Sequence, residues 1–297
     1  MLFGAIGFSY ANFDHTRKVF ERKGKHSANI GDNMQSLAVR HMYRQLGIPE
    51  TKILRIDRDQ LPYYDGPTVV LPMNAVFHRA ILPVSDRIIP VFFGFHAAGE
   101  TILAHRDWLS KQEPIGCRDP ATAQALRDLG IGANVTGCLT CSLPQRAPGQ
   151  SGTKVFLVQG AGKGAFPEAA LRAMPAKLWD GLVVVKQRRD MVRLPLTAAD
   201  MADNDRVAEG LVTRYREEAR LVVTALHHAA APCLAAGIPV VLVREQADKR
   251  FGFLQGLLPV HLGPDYSGID WTPAPVDMTA VKAIQAAQFK AALAPWL

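Results

Sequence analysis

Short apolar runs rich in Val, Ile and Phe alternate along the chain with segments of helical periodicity. This alternation predicts parallel sheets with crossover helices, and therefore an α/β fold. The predicted strands of the first half are residues 3–8, 52–56, 68–71, 90–94 and 114–117, and those of the second half are residues 154–158, 182–186, 221–224 and 240–243.

The helical segments between these strands begin and end at recognisable residues. One helix is predicted from about residue 32 to residue 46 and ends at Gly47, and another begins with Asp119 as N-cap and Pro120 in the first turn and ends at Gly130. Further helices are predicted at residues 167–172, 201–219, 228–236 and 279–292.

A stretch of Pro, Gly, Gln and Ser at residues 144–152 is the best linker in the sequence. It predicts an N-terminal domain at residues 1–147 and a C-terminal domain at residues 152–297, each of ordinary domain length, with a last helix able to pack back on the first domain. Two Rossmann-like domains would face a central cleft. Because ligands of such sheets bind beyond the carboxyl ends of the strands, residues at strand-to-helix turns are the first candidates for function.

The composition is that of an ordinary globular protein, with 48% apolar and 21% charged residues in 297. Four cysteines do not make a disulfide framework in a chain of this length, and the apolar N-terminus reads as a buried strand rather than an export signal, so a cytoplasmic location is expected. The lone C-x-x-C of Cys138 and Cys141 is interpreted as buried and structural, with no metal site predicted.

Charge and hydropathy leave several kinds of binding partner open. A net charge of +7 suits an anionic small molecule, an acidic polymer or an anionic membrane surface. The basic run at residues 17–26 is either a solvated face or a loop that binds an acceptor or faces lipid. Residues 221–243 carry no formal charge apart from histidine, but prolines and a glycine interrupt them, so a membrane span is not predicted.

Two strand-to-helix turns carry the strongest candidates. Arg118 follows the strand at residues 114–117, where its planar fork could hold a carboxylate or phosphate, although it could equally pair with the neighbouring Asp119. Thr224 ends the strand at residues 221–224, and His227 and His228 follow it. A histidine there could move a proton, although histidines beside apolar residues are often buried core residues. Adjacent histidines seldom face the same way, so one is expected to enter the site.

Weaker candidates lie at three other places. Asn29, Asp32 and Asn33 open the first long helix, where they could cap it or bind sugar hydroxyls. His96 follows the strand at residues 90–94. The turn at residues 160–164, which contains Lys163, could wrap a phosphate but matches neither the dinucleotide fingerprint nor the P-loop, so a plain flexible turn is the alternative.

Together these motifs resemble the polysaccharide pyruvyl transferase family over most of the chain. The similarity lies in the N-x-G-D helix start at residues 29–32, in residues 56–61 and 90–96, in the arginine-bearing turn at residues 116–122, in the G-C-L-T segment at residues 137–140, and in residues 219–243. In the last segment the family histidine falls on His228, whereas the family arginine falls on Leu226 and is missing.

The resemblance implies a fold like that of B-type glycosyltransferases, with phosphoenolpyruvate as donor, inorganic phosphate as product and no metal or organic cofactor. The acceptor would be a sugar, an oligosaccharide or a lipid-linked glycan, so the enzyme could act at the inner face of the membrane with at most peripheral contact; nucleic acid is not an expected partner. On this basis His228 would be the catalytic acid and Arg118 the anion clamp. The remaining residues divide into a donor set of His96, His227, Thr224 and Lys163 and an acceptor set of Asn29, Asp32, Asn33 and Asn74.

Two other functions are compatible with the same sequence. A nucleotide-sugar-dependent glycosyltransferase could use the same scaffold, because a fold does not decide the chemistry. A non-catalytic protein that binds glycans or nucleotides could have kept the cleft, and the leucine at position 226 keeps that alternative open.

Overall fold

The computed structural model describes residues 1–297 except for the side chain of residue 163. Its strands are β1 (Leu2–Gly7), β2 (His26–Asn29), β3 (Ile53–Asp57), β4 (Val69–Pro72), β5 (Val76–Phe77), β6 (Ile88–Val91), β7 (His96–Ala97), β8 (Ile115–Cys117), β9 (Ala133–Val135), β10 (Lys154–Gln159), β11 (Val183–Lys186), β12 (Arg188–Met191), β13 (Ala219–Thr224), β14 (Val240–Arg244) and β15 (Val260–Leu262).

The α-helices alternate with these strands. They are α1 (Asp14–Lys23), α2 (Ile30–Gln45), α3 (Gly99–Ala104), α4 (Arg106–Leu109), α5 (Pro120–Arg127), α6 (Glu168–Ala173), α7 (Ala198–Glu218), α8 (His227–Ala235), α9 (Gly252–Gln255) and α10 (Thr279–Leu293).

Two parallel sheets organise the chain. The first half forms a sheet in the order β3-β1-β4-β6, and the second half forms one in the order β11-β10-β13-β14-β15. All neighbours within both sheets are parallel. The protein is therefore a mixed α/β protein, as the alternation of strands and helices predicts. The division into two Rossmann-like domains at residues 148–151 stays a prediction.

Most predicted elements match the observed ones within a few residues. Asp119 caps α5, where its side chain accepts a hydrogen bond from the Thr122 backbone N–H at 2.9 Å. The strand predicted at residues 90–94 is shifted, because β6 covers Ile88–Val91 and a bridge joins Phe95 to Cys117. The basic run at residues 17–26 was not predicted to be regular, but α1 covers most of it.

The sequence gives no sign of the pairing between β2 and β12. These two strands pair antiparallel, with Ser27 opposite Asp190 and Asn29 opposite Arg188. The pair links a segment of the first half with one of the second half and places Asn29 and Arg188 side by side.

The last helix, α10, packs against residues of the first half of the chain. Phe289 is fully buried, and its ring packs against those of Phe93 and Tyr43 at centroid distances of 5.4 and 6.0 Å. The Gln285 side-chain amide donates hydrogen bonds to the carbonyls of Thr136 and Cys138 at 2.9 and 3.2 Å. The C-terminus therefore stabilises the segment that carries Cys138.

We expect Phe289→Ala to lower the free energy of unfolding by about 3 to 5 kcal/mol, because it removes a large buried ring and leaves a cavity. Urea denaturation of the purified protein measures this change. Lys290→Ala, at the exposed neighbouring position, is the control and should stay within about 0.5 kcal/mol of the parent. Equal effects of the two substitutions would show that α10 does not hold the fold together.

Among the described residues, no helix combines the length with the apolar composition needed to cross a bilayer. The apolar stretch at residues 221–243 instead forms β13, α8 and most of β14, which are largely buried. Its lack of charge therefore reflects a position in the protein core.

Candidate functional site

A cavity of about 240 Å³ lies between the two halves of the chain. Its lining comes mostly from residues at or just beyond strand ends and from the starts of α2 and α8. The lining residues are Asn29, Asp32, Val76, Arg118, Gly160, Ala161, Gly164, Gln187, Arg188, Ala225, Leu226, His227, His228, Arg244, Arg250 and Phe251. Among these described residues four are arginines and one is an acid, so the cavity is suited to an anion.

Arg118 enters the cavity from the end of β8. It is 2% exposed, its backbone N–H donates to the Phe95 carbonyl at 2.9 Å, and its Nε atom is buried without a hydrogen-bond partner among the described residues. The neighbouring Asp119 is engaged elsewhere, with His96 Nδ1 at 2.7 Å and with Thr122. Local pairing between Arg118 and Asp119 is therefore not what the structure shows. Burial lowers the pKa of Arg118 below its usual value, but a guanidinium remains charged.

Arg244 and Arg250 also line the cavity and are joined by Asp248. Arg244 Nη2 lies 3.2 Å from Asp248 Oδ2, and Arg250 Nε lies 3.0 Å from Asp248 Oδ1. Burial alone would raise the pKa of Asp248, but hydrogen bonds and charge from Arg250 outweigh it and lower the pKa to about 2. The Arg244 guanidinium also stacks 4.7 Å from the Phe251 ring centroid and donates to the Ala225 carbonyl. Both arginines are thus held in place by the protein itself.

Asn29 and Asp32 form a polar group at the start of α2. Asn29 Nδ2 donates to Asp32 Oδ1 at 2.9 Å, and the Tyr10 hydroxyl lies 3.4 Å from Asp32 Oδ2 while it accepts from the Asn29 backbone N–H. Burial raises the pKa of Asp32, although Arg58, Arg188 and Arg118 partly oppose this. Tyr10 has φ of 61°, a strained value for a bulky residue. The network fixes the Asp32 carboxyl at the cavity wall.

The two adjacent histidines both line the cavity, contrary to the expectation that one would. Their rings pack edge to face at 5.0 Å, and His228 Nε2 lies 3.6 Å from Cys138 Sγ. Burial, then the charges of Arg118 and Arg250, lowers the pKa of His228 well below its usual value, and burial and His228 do the same for His227. Both imidazoles are therefore neutral near pH 7 in the free protein.

The start of α2 needs a residue without a side chain at position 31, and the sequence has Gly31 there. A Cβ atom at this position would lie 2.9 Å from His228 Cβ and 3.0 Å from Gln187 Nε2. Gln187 in turn donates to the His228 carbonyl at 3.2 Å. The glycine thus lets α2 approach the start of α8 closely, and a larger residue would displace His228.

His96 lies in an adjoining groove of about 760 Å³ that shares Arg244 and Arg250 with the cavity. Burial lowers the pKa of His96, and the hydrogen bond to Asp119 opposes this shift. The groove is lined otherwise by residues 245–249 and by Gly162. Its volume is larger than that of the cavity, so it offers room for the part of a substrate that the cavity cannot hold.

Three of the predicted site residues are buried away from the cavity. Thr224 Oγ1 donates to the Val158 carbonyl and accepts from the Leu226 backbone N–H. Asn33 Nδ2 donates to Asp205 at 2.8 Å, and Asn74 Nδ2 donates to the Gln35 carbonyl. Their geometry suits a structural role. The side chain of Lys163 lies outside the described part of the structure.

Leu226 packs against the glycine-containing turn at residues 160–164. If Gly160 or Gly164 carried a Cβ atom, that atom would lie only 2.7 or 2.9 Å from Leu226 Cδ2. The Gly160 N–H donates to the Gly164 carbonyl at 3.1 Å, so this amide is used inside the turn. Leu226 therefore contributes an apolar surface to the cavity, to which Arg244 and Arg250 add positive charge.

Sequence reasoning missed four charged or polar residues of the site. Arg244 ends β14, so the strand-end rule that identified Arg118 could have identified it. Arg250 and Gln187 carried no signal, and Arg188 depends on the unpredicted pairing of β12 with β2.

Comparison with known proteins gives one family match. A family model described as polysaccharide pyruvyl transferase matches residues 29–246. No curated protein matches the chain. Among solved structures, an uncharacterized protein of Klebsiella pneumoniae subsp. pneumoniae is similar at 12% identity and a TM-score of 0.44, with 86% of this chain and 88% of that chain covered.

Proposed function

The chain belongs to the polysaccharide pyruvyl transferase family, and from this membership we propose that it transfers a pyruvyl group from phosphoenolpyruvate to two hydroxyls of a sugar or glycan. The observation that carries the proposal is the joint presence of Arg118, Arg244, Arg250 and His228 in one cavity. These residues supply the anion clamp and the acid that the reaction needs.

Phosphoenolpyruvate carries a carboxylate and a phosphate, and both anions need cationic partners. Arg118 and the pair of Arg244 and Arg250 offer guanidinium N–H donors to both anions. Arg188 adds a fourth guanidinium, held by hydrogen bonds from Nε and Nη2 to Ser27 at 3.0 and 2.6 Å. This arrangement offsets the absence of an arginine at position 226.

The reaction requires three proton transfers: one proton is added to carbon, and each of the two sugar hydroxyls loses one. A proton is added to the methylene carbon of phosphoenolpyruvate, and the cationic carbon that results takes up the first sugar hydroxyl, which loses its proton. The second hydroxyl then displaces the phosphate by breaking its C–O bond, and the proton that this hydroxyl loses leaves with the phosphate. The products are a cyclic ketal with a methyl group and a carboxylate, together with phosphate, so the atoms balance.

We assign the proton donor to His228 and the hydroxyl-binding base to Asp32. His228 lines the same cavity as Arg118, and Asp32 lies at the start of α2 with Asn29 beside it. A carboxyl whose pKa is raised by burial is a suitable acceptor for a hydroxyl proton. His96 borders the adjoining groove, where the rest of the acceptor would lie.

We expect kcat/KM for phosphoenolpyruvate to fall as the pH rises through a value below 6.5, by about tenfold per pH unit. The acid must be protonated, and burial and the nearby arginines lower the pKa of His228 in the free enzyme. The bound donor neutralises part of the arginine charge, so the pKa of His228 should be higher in the complex than in the free enzyme. The profile of kcat should therefore extend to higher pH than that of kcat/KM.

Initial rates of phosphate release across pH 5 to 9 measure both profiles. His228→Gln is the control. The pH dependence of its residual rate still reflects the titration of the donor phosphate but no longer that of the histidine. If the parent and His228→Gln gave the same profile, His228 would not be the acid.

The closest alternative is a glycosyltransferase that uses a nucleotide sugar. The cavity of about 240 Å³ is smaller than the 300–1,000 Å³ usual for drug-sized ligands, which favours a compact donor. Calorimetric titration with phosphoenolpyruvate and with a panel of nucleotide sugars separates the two. Binding of a nucleotide sugar with none of phosphoenolpyruvate would assign glycosyl transfer. Binding of phosphoenolpyruvate without transfer to any acceptor would assign a non-catalytic protein.

The domain organisation and the location of the enzyme are part of the same proposal. Two Rossmann-like domains of the B type, divided near residues 148–151, would place the cavity in the cleft between them. A lipid-linked glycan acceptor would bring the enzyme to the inner face of the membrane. The proposal includes phosphoenolpyruvate as co-substrate and no organic cofactor.

A further inference from the structure

A cluster of soft metal-binding groups lies at one edge of the cavity. Cys138, His227 and His228 each offer a ligand atom, and the three atoms lie within 4.8 Å of one another. Cys138 comes from the G-C-L-T segment and the two histidines come from the start of α8. Cys138 and His228 are 90 positions apart in the sequence, so the C-x-x-C pattern of Cys138 and Cys141 gives no sign of this neighbour.

The distances fit a tetrahedral site. With metal–sulfur and metal–nitrogen bonds of about 2.3 and 2.0–2.1 Å, a sulfur and a nitrogen ligand of zinc are about 3.6 Å apart. Cys138 Sγ and His228 Nε2 are separated by 3.6 Å. His227 has both ring nitrogens buried without a hydrogen-bond partner among the described residues, so either one is available for coordination.

We propose that Cys138, His227 and His228 bind a divalent cation of the zinc class, with the fourth coordination position open to the cavity. Thiolate and imidazole are the ligands that zinc and cobalt(II) prefer. Three protein ligands with one open position are typical of accessible sites, in contrast to closed structural sites with four ligands.

The charges at the site define the conditions for binding. The Cys138 thiol must release its proton to solvent when the metal binds, and the Arg118 charge favours the thiolate, although burial raises the pKa of Cys138 overall. Arg118 and Arg250 also repel a bare cation, so water or, better, an anion such as phosphate completes the coordination. Both His ligands are neutral near pH 7, as metal binding requires.

Metal binding would have a consequence for catalysis, and this consequence rests on the proposed function. A metal on His228 Nε2 removes that imidazole from proton transfer. Zinc should therefore inhibit pyruvyl transfer reversibly, and a chelator should restore it.

Cobalt(II) titration of the purified chain, without any substrate, tests the site directly. We expect one cobalt per chain, with an absorption band from thiolate to cobalt in the near ultraviolet and tetrahedral bands in the visible. Cys138→Ser should abolish the thiolate band and weaken binding at least about tenfold, since loss of a direct ligand should cost no less than loss of an outer-shell partner. Cys141→Ser, a buried neighbour outside the cluster, should keep the band.

Two controls keep the outcome decisive. Thermal unfolding of each variant shows whether it is folded, and His227→Gln provides a second variant that should weaken cobalt binding without touching the thiol. A parent protein that shows no thiolate band at saturating cobalt, or a folded Cys138→Ser protein that keeps it, would overturn the proposal. Because the readout is spectroscopic, failure of the proposed reaction would leave this test intact.

Discussion

Arg118→Ala should lower kcat/KM for phosphoenolpyruvate by about 10² to 10³-fold, which corresponds to about 3 to 4 kcal/mol of transition-state stabilisation. The Arg118 guanidinium is buried at the cavity wall, and its Nε atom has no partner within the described structure. It is therefore free to bind an anion. Initial rates of phosphate release with varied donor measure the effect.

Two further variants accompany Arg118→Ala: one separates the charge of Arg118 from its geometry, and the other is a surface control. Arg118→Lys keeps the charge but loses the planar fork, so its kcat/KM should fall between those of the parent and Arg118→Ala. Arg206→Ala is a surface control: it removes an exposed arginine that pairs with Asp203 and is not among the cavity-lining residues, and its activity should equal that of the parent. An Arg118→Ala enzyme within about threefold of the parent would exclude Arg118 from the donor site.

His228→Gln should lower kcat by about 10² to 10⁴-fold, because glutamine keeps a polar side chain of similar size but cannot donate a proton to carbon. The KM for phosphoenolpyruvate should change little, since the arginines that bind the donor remain. Single-turnover rates and steady-state kinetics measure the two quantities separately.

The neighbouring His227→Gln is the matched control for this substitution. His227 is buried next to His228 and packs against Phe251, so it experiences the same surroundings but is not assigned the proton transfer. We expect a loss of kcat below about tenfold. If His227→Gln lost far more kcat than His228→Gln, the two roles would have to be exchanged.

The order of strands and helices could be predicted because burial imposes a clear pattern on each element. Residues 154–158 and 221–224 read as apolar runs, and β10 and β13 lie there. The cap at Asp119 could be predicted because capping depends on local chemistry. The placement of Arg118 and His228 at strand ends followed from the general geometry of parallel sheets.

Other features depend on contacts between distant segments, which local patterns do not encode. The pairing of β2 with β12 joins four-residue strands about 160 positions apart, and strands this short carry no distinct periodicity. The contact between Cys138 and His228 has the same origin. The position of Arg244 next to the turn that carries Leu226 depends on the pairing of β13 with β14.

The central claim is that phosphoenolpyruvate becomes a ketal on a sugar. The most direct test is carbon-13 NMR of a reaction that contains the enzyme, a panel of glycan acceptors and phosphoenolpyruvate labelled at its second carbon. The account predicts that the label moves to a ketal carbon in the product as an equal amount of inorganic phosphate appears, and that Arg118→Ala and His228→Gln both suppress the change. A label that stays in the enol phosphate with every acceptor, or that appears as free pyruvate, would contradict it.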